Sequence, residues 1–224
     1  MTMSELDGDK IQAFGARMLG ILNGGSLALM LSIGHRTGLL DRMAELRPST
    51  SEEIATAAGL NERYVREWLA ALTAGRIVEY DAATMRYWLP REHAVMLTRA
   101  AGPSNMASLT QFIAMLGEVE SEVMEAFRNG GGVPYARFPR FQKVMAEESA
   151  AVFDATLIQS TLPLVPGLID RLKAGIDVAD VGCGSGHAIA VMARAFPNSR
   201  FTGFDFSVEG IAAARAEATA KGLA

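Results

Sequence analysis

The stretch best suited to chemistry is Val178-Ala179-Asp180-Val181-Gly182-Cys183-Gly184-Ser185-Gly186. An apolar run gives way to alternating glycines, as is needed where a strand turns sharply into a helix and a ligand must lie against backbone with no Cβ in between. The spacing selects among ligands. A dinucleotide fingerprint has the form G-x-G-x-x-G, whereas here Gly182, Gly184 and Gly186 alternate and His187 stands where the third dinucleotide glycine belongs, which disfavours NAD and FAD. Asp180 precedes the first glycine. A second acid, Asp205, closes the run Phe201-Thr202-Gly203-Phe204-Asp205, 23 positions after Gly182. Such an offset, close to ~20 residues, is where a strand-end carboxylate meets ribose hydroxyls.

A carboxylate accepts two hydroxyl hydrogens, and a ligand without phosphates does not penalise a second acid nearby. S-adenosylmethionine (SAM), which carries a sulfonium and an ammonium, is such a ligand. The plainer reading of the glycines is an ordinary strand-to-helix turn, but Asp180 and Asp205 together favour a cofactor site. Cys183 reads as a small side chain inside the turn, with no neighbouring His or Cys to make it a ligand or nucleophile. His187 reads as a helix-start residue rather than a base. His35 and His93 are isolated in sequence, so no metal site is expected.

The elements that position this site follow from periodicity. A strand at 177–181, a helix at 187–196, a strand at 200–205 and a helix at 207–221 form one β-α-β-α series. Upstream, residues 11–46 have helical spacing around Gly24 and Gly25, and the apolar stretch 21–34 predicts a buried helix pair too short to span a membrane. Thr50-Ser51-Glu52-Glu53 is a capping box that starts a helix ending at Gly59. Asn61 caps a second, with Val65, Trp68, Leu69 and Leu72 on one stripe. The segments 77–80 and 85–89 then predict a hairpin, which completes a winged helix. Residues 102–128 predict one helix with Leu109, Phe112, Ile113, Leu116, Val119, Val123 and Phe127 on its apolar side. A proline-bearing linker at 133–141 feeds a further helix to about Gln159.

With these residues in view, the chain resembles the class I SAM-dependent methyltransferases: Asp180 to Gly186 matches their first motif and Asp205 their second. The resemblance implies that Gly182, Gly184 and Gly186, with Cys183 carried in the same turn, line the methionine part of SAM. It also implies that Asp180 orients the amino group directly or through water, Asp205 binds the ribose and Phe206 packs on the adenine. Tyr135, Arg137 and Phe141 correspond to a lid over SAM in similar enzymes, and packing of a linker accounts for them equally well. The segments 34–41 and 62–69 resemble the winged-helix domain of bacterial small-molecule methyltransferases. No residue is assigned as a catalytic base.

The expected fold is a mainly α N-terminal winged-helix domain followed by an incomplete α/β Rossmann-like methyltransferase domain. Only its β-α-β-α portion is present, where the resemblance implies a seven-stranded sheet, so a truncated catalytic domain is expected. The expected domains are 1–100 (helical and winged-helix, for dimerisation), 101–165 (helical linker and cofactor lid) and 166–224 (the first part of the SAM-binding domain). The partners expected are a small-molecule methyl acceptor and a second copy of the chain, joined through Trp68 and the N-terminal helices. The alternatives are a DNA-binding regulator that uses SAM or another small molecule as effector, and a catalytically dead dimerisation fragment.

Composition narrows the choice. With 224 residues, half of them apolar, the chain can bury substantial cores. A net charge of -4 and a pI of about 5.5 argue against general attraction to nucleic acid or an anionic membrane. Residues 50–90 hold six acids against four arginines and no lysine, a poor field for phosphates. The single cysteine fits a reducing cytoplasm, and Glu5, Asp7 and Asp9 lie where an export signal would be basic.

Overall fold

The computed structural model describes residues 6–223, so Glu5 lies outside it. Two compact units meet between Gly117 and Glu118.

The first unit opens with α1, Gly8–Thr37, capped by the Asp7 carboxylate, which accepts from the amides of Asp9 and Lys10. This is one continuous helix where the sequence predicts a pair. A glycine stops a helix when it takes a left-handed φ just past the last turn, as Gly38 does at 76°. Gly24 and Gly25 keep helical dihedrals and only weaken α1, by about 1 kcal/mol each relative to alanine. Of the stretch 21–34 predicted to be buried, 21–26 is exposed, like residues 6–20 before it, and burial begins only at Ala28.

By length and composition α1 could cross a bilayer, contrary to the expectation from residues 21–34. Its last third is nevertheless built into the unit: Ala28, Ser32, Gly34 and His35 are buried. The exposed part also carries Asp9, Lys10 and Arg17.

The winged helix forms as the sequence predicts. Helix α2 (Leu39–Glu45) leads to α3 (Ser51–Ala58), where both bonds of the Thr50–Glu53 capping box are made and Gly59 closes the helix at φ 66°. Asn61 caps α4 (Glu62–Ala74), which buries Val65, Trp68, Leu69 and Leu72. Strands β1 (Glu79–Asp81) and β2 (Arg86–Trp88) pair antiparallel, and a bridge from Ser49 to Tyr87 ties the wing to the start of α3. The first strand begins later than predicted because Val78 turns into the core.

Trp68 belongs to this core and not to an interface between copies. Its indole N–H donates to the Met30 carbonyl at 2.8 Å, and its ring lies so close to Gly34 that a Cβ there would sit 2.5 Å from Cζ2.

The helix predicted over 102–128 is broken into pieces. After α5 (Arg91–Leu97) and a 3₁₀ segment, α6 (Met106–Leu109), α7 (Gln111–Glu118) and α8 (Glu120–Asn129) follow. Gln111, Met115 and Val119 are buried, whereas Leu109, Ile113, Leu116 and Phe127 are exposed. The segment is apolar on more than one side, so periodicity alone selects the wrong face.

In the second unit, Gly130 and Gly131 take positive φ after α8 and lead through Val133–Arg140 into α9 (Phe141–Thr156), which continues as a π-helical turn to Thr161. Helix α10 (Leu168–Ala174) precedes β3 (Asp177–Val181), α11 (His187–Ala195), β4 (Arg200–Phe204) and α12 (Val208–Ala220). Strands β3 and β4 pair parallel, with Asp177 opposite Arg200 and Val181 opposite Phe204. Val178 and Phe201 face a core of Leu157, Leu172, Ala188, Met192 and Phe196. The other face of the pair is open, with Val181 85% and Phe204 55% exposed.

Candidate cofactor site

The turn from β3 into α11 is held from β4. Gly182 and Cys183 both donate their amides to the Phe204 carbonyl, at 2.7 and 3.1 Å. Gly184 donates to one oxygen of Asp205 at 2.8 Å, and the other oxygen accepts from the Ser207 amide at 2.7 Å. Ser207 in turn caps α12, accepting from the Gly210 amide. The second acid predicted from sequence is thus the clasp that joins the glycine turn to the end of β4. A carboxylate has about four acceptor positions, so two backbone donors leave capacity for two hydroxyls.

Gly182, Gly184 and Gly186 have φ of 87°, 53° and 77°, a region that L side chains rarely adopt. A Cβ at Gly182 or Gly184 would meet nothing within 4 Å, so the space over the turn is open to a ligand. At Gly186 a Cβ would lie 2.8 Å from the Ala214 side chain, so this glycine is needed for α12 to approach.

Burial, and then the charge of Asp205, raise the Asp180 carboxyl above the ordinary aspartate range, with no donor or cation among the described residues to offset them. Burial, Asp180 and Asp205 likewise push the Cys183 thiol up, which keeps it protonated and unreactive. Phe206 stands beside the clasp, 80% exposed. The Tyr135 ring centre lies 6.0 Å from it, and Phe141 lies 5.0 Å from Tyr135. Arg137, grouped with these two by sequence, is instead bonded to Glu122 at 2.6 Å.

Residues 25–99 match the family described as the Rv2258c-like winged HTH domain, and residues 172–224 match a family described as a methyltransferase domain. The two matches lie one after the other along the chain, the winged HTH description first and the methyltransferase description second. Among solved structures it is similar to the mitomycin 7-O-methyltransferase MmcR, at 19% identity over 96% of this chain and 65% of that one, with a TM-score of 0.63. It is also similar to human N-acetylserotonin methyltransferase in complex with SAM, at 18% identity over 96% of this chain and 64% of that one, with a TM-score of 0.59. An O-methyltransferase family protein from Burkholderia thailandensis gives 16%, 93%, 61% and 0.57 for the same measures. At these identities the likeness is one of fold. The chain spans 61 to 65% of the length of these structures. No curated protein matches it in sequence.

Some residues of the second unit were not singled out by sequence. A Cβ at Gly203 would come within 2.6 Å of Ile189 and 2.7 Å of Cys183, so only glycine lets α11 and the turn close over β4. A glycine inside a strand was the available signal. Gly210, likewise, lies against the Gly184 carbonyl. The partners of His187, Asp154 and Glu217, are distant in sequence and gave no signal.

In the winged-helix unit, the arginines a recognition helix would offer to nucleic acid are turned onto their own helix. Arg63 faces Glu67 and Arg66 faces Glu62, each at 3.5 Å with i,i+4 spacing.

Proposed function

We propose that the chain is the cofactor-binding part of a SAM-dependent methyltransferase that acts on an oxygen, nitrogen or carbon nucleophile of a small molecule. Asp180 takes the ammonium of SAM, Gly182, Gly184 and Gly186 with Cys183 line its methionine part, Asp205 takes the ribose hydroxyls and Phe206 covers the adenine. The observation that carries this reading is the uncompensated Asp180 carboxylate beside an open, side-chain-free turn clasped by Asp205. A cation placed there draws the Asp180 carboxyl back down toward the ordinary aspartate range, and this is the charge SAM brings.

SAM supplies a methyl group on sulfur that is already a good leaving group, so the protein's part is to align donor and acceptor and exclude water. The solved structures include one in complex with SAM and another bound to S-adenosylhomocysteine (SAH), and their names describe methylation of small molecules.

The reading includes assembly as a homodimer through the N-terminal helix. Phe14, Met18 and Leu22 project from the exposed part of α1 at helical spacing and offer an apolar stripe to a second copy. The paired arginines of α4 and the acidic balance weigh against a DNA-reading role. Calorimetric titration with SAM and SAH, on this chain and on Asp205→Ala, tests the assignment. Binding that the substitution leaves unchanged removes Asp205 from the site, and no binding to the native chain overturns the reading.

A further inference from the structure

His187 follows the third glycine of the turn and is the first residue of α11. Both of its ring nitrogens face carboxylates carried by other elements: Nε2 lies 2.8 Å from Asp154 of α9, and Nδ1 lies 3.0 Å from Glu217 of α12. A neutral imidazole has one N–H and can donate to only one of them, whereas the imidazolium donates to both. A cation in the first turn of a helix is opposed by the helix dipole, so forming α11 does not by itself account for this residue. Two acids drawn from separate helices do.

The elements fastened at this point are those that shape the turn. Helix α12 touches it twice, at Gly210 against the Gly184 carbonyl and at Ala214 against Gly186, and the bond from His187 to Glu217 fixes the same helix further along. The charged groups facing the ring are Asp154 from α9 and Glu217 from α12, with Lys221 bonded to the Glu217 oxygen that also faces the ring. Burial opposes ionisation of Glu217, but the bonds from Lys221 and His187 outweigh it and hold its carboxyl below the usual range. This acid therefore stays charged at neutral pH.

We infer that His187 is a positioning residue for the cofactor: as the imidazolium it ties α9 and α12 to the start of α11, fixes the glycine turn between them, and makes cofactor binding depend on its protonation. The inference rests on the reading of the turn as a SAM site. Loss of the ring proton releases one of the two acids, and with it the tie from one of the two helices to the start of α11.

The test is SAH titration from mildly acidic to mildly alkaline pH on the native chain and on His187→Gln, with ring-nitrogen and Gly182–Gly186 amide resonances followed by NMR over the same range. The native chain is expected to lose affinity by about fivefold or more as the ring deprotonates, the low end of coupling between linked sites. His187→Gln, which keeps one donor and has no titrating ring, is expected to show a flattened profile. The turn amides are expected to shift with the His187 ring and with no other group. A pH profile that is the same in both chains overturns the inference and leaves the SAM site standing. If the native chain binds SAH at no pH, the site assignment fails instead, and turn amides that ignore the ring titration then overturn the clamp independently.

Discussion

The carboxylate of Asp205 holds the amide of Gly184 at 2.8 Å, so the residue that ends one strand shapes the turn that follows the other. Its second oxygen holds Ser207 and starts α12, which gives this side chain a structural task alongside any ligand. Asp205→Ala removes both bonds. Hydrogen bonds to a charged group contribute roughly 1.5–3 kcal/mol each, so a fall in the urea midpoint and a loss of SAH affinity of more than tenfold are expected together. Asp205→Asn, which keeps an acceptor oxygen, should fall between the two. Urea unfolding and calorimetry on all three chains check this, and a fully stable Asp205→Ala variant refutes the clasp.

Asp180 gives an effect of opposite sign on stability and binding. Its folded carboxyl is raised above the ordinary value, first by burial and then by Asp205, so the folded chain holds that proton more tightly than the unfolded one. The associated stability is present below the unfolded value and is lost as pH rises through the folded one. Asp180→Asn should therefore melt higher than the native chain at neutral pH, with the difference vanishing in acid, yet bind SAH more weakly. Melting curves at the two pH values decide the first part, and equal midpoints at neutral pH contradict it.

Glycines on α1 should respond in opposite directions. Gly34→Val forces a side chain against the Trp68 ring, and overpacking of this kind costs about 1–3 kcal/mol. Gly24→Ala meets nothing within 4 Å and should stabilise the helix by about 0.5–1 kcal/mol. Chemical denaturation of the pair distinguishes a packed glycine from an idle one.

The exposed part of α1 carries the expectation of self-association. Phe14→Asp combined with Leu22→Asp leaves the buried residues from Ala28 onward untouched, so the winged helix should stay folded while the sedimentation coefficient falls to that of a monomer. A native chain that sediments as a monomer removes the proposed dimer.

Much of this architecture was legible in the sequence because its signals are local. The Thr50–Glu53 box, the Asn61 cap and the stripe through Val65 and Leu72 each act within one helix, and each forms as read. The two strands around the glycine turn were found for the same reason. What was misread depends on distant partners. Trp68 gave no sign in sequence that Met30 and Gly34 would enclose it, nor did His187 that Asp154 and Glu217 would reach it. Gly24 and Gly25 look like a break because their type is remembered and their dihedrals are not. Residues 102–128 failed in another way, since apolar side chains on several sides leave the buried face to tertiary packing.

The two parallel strands are covered on one side only, and Val181 and Phe204 lie side by side on the other. A short β-ribbon with a bare apolar flank and ungated borders is a template on which extended segments of neighbouring molecules can add, one chain after another. Concentrated preparations should consequently form thioflavin-binding fibrils after a lag. A lysine in place of Val181 should lengthen that lag without disturbing the Asp205 clasp, and thioflavin fluorescence over time reports it.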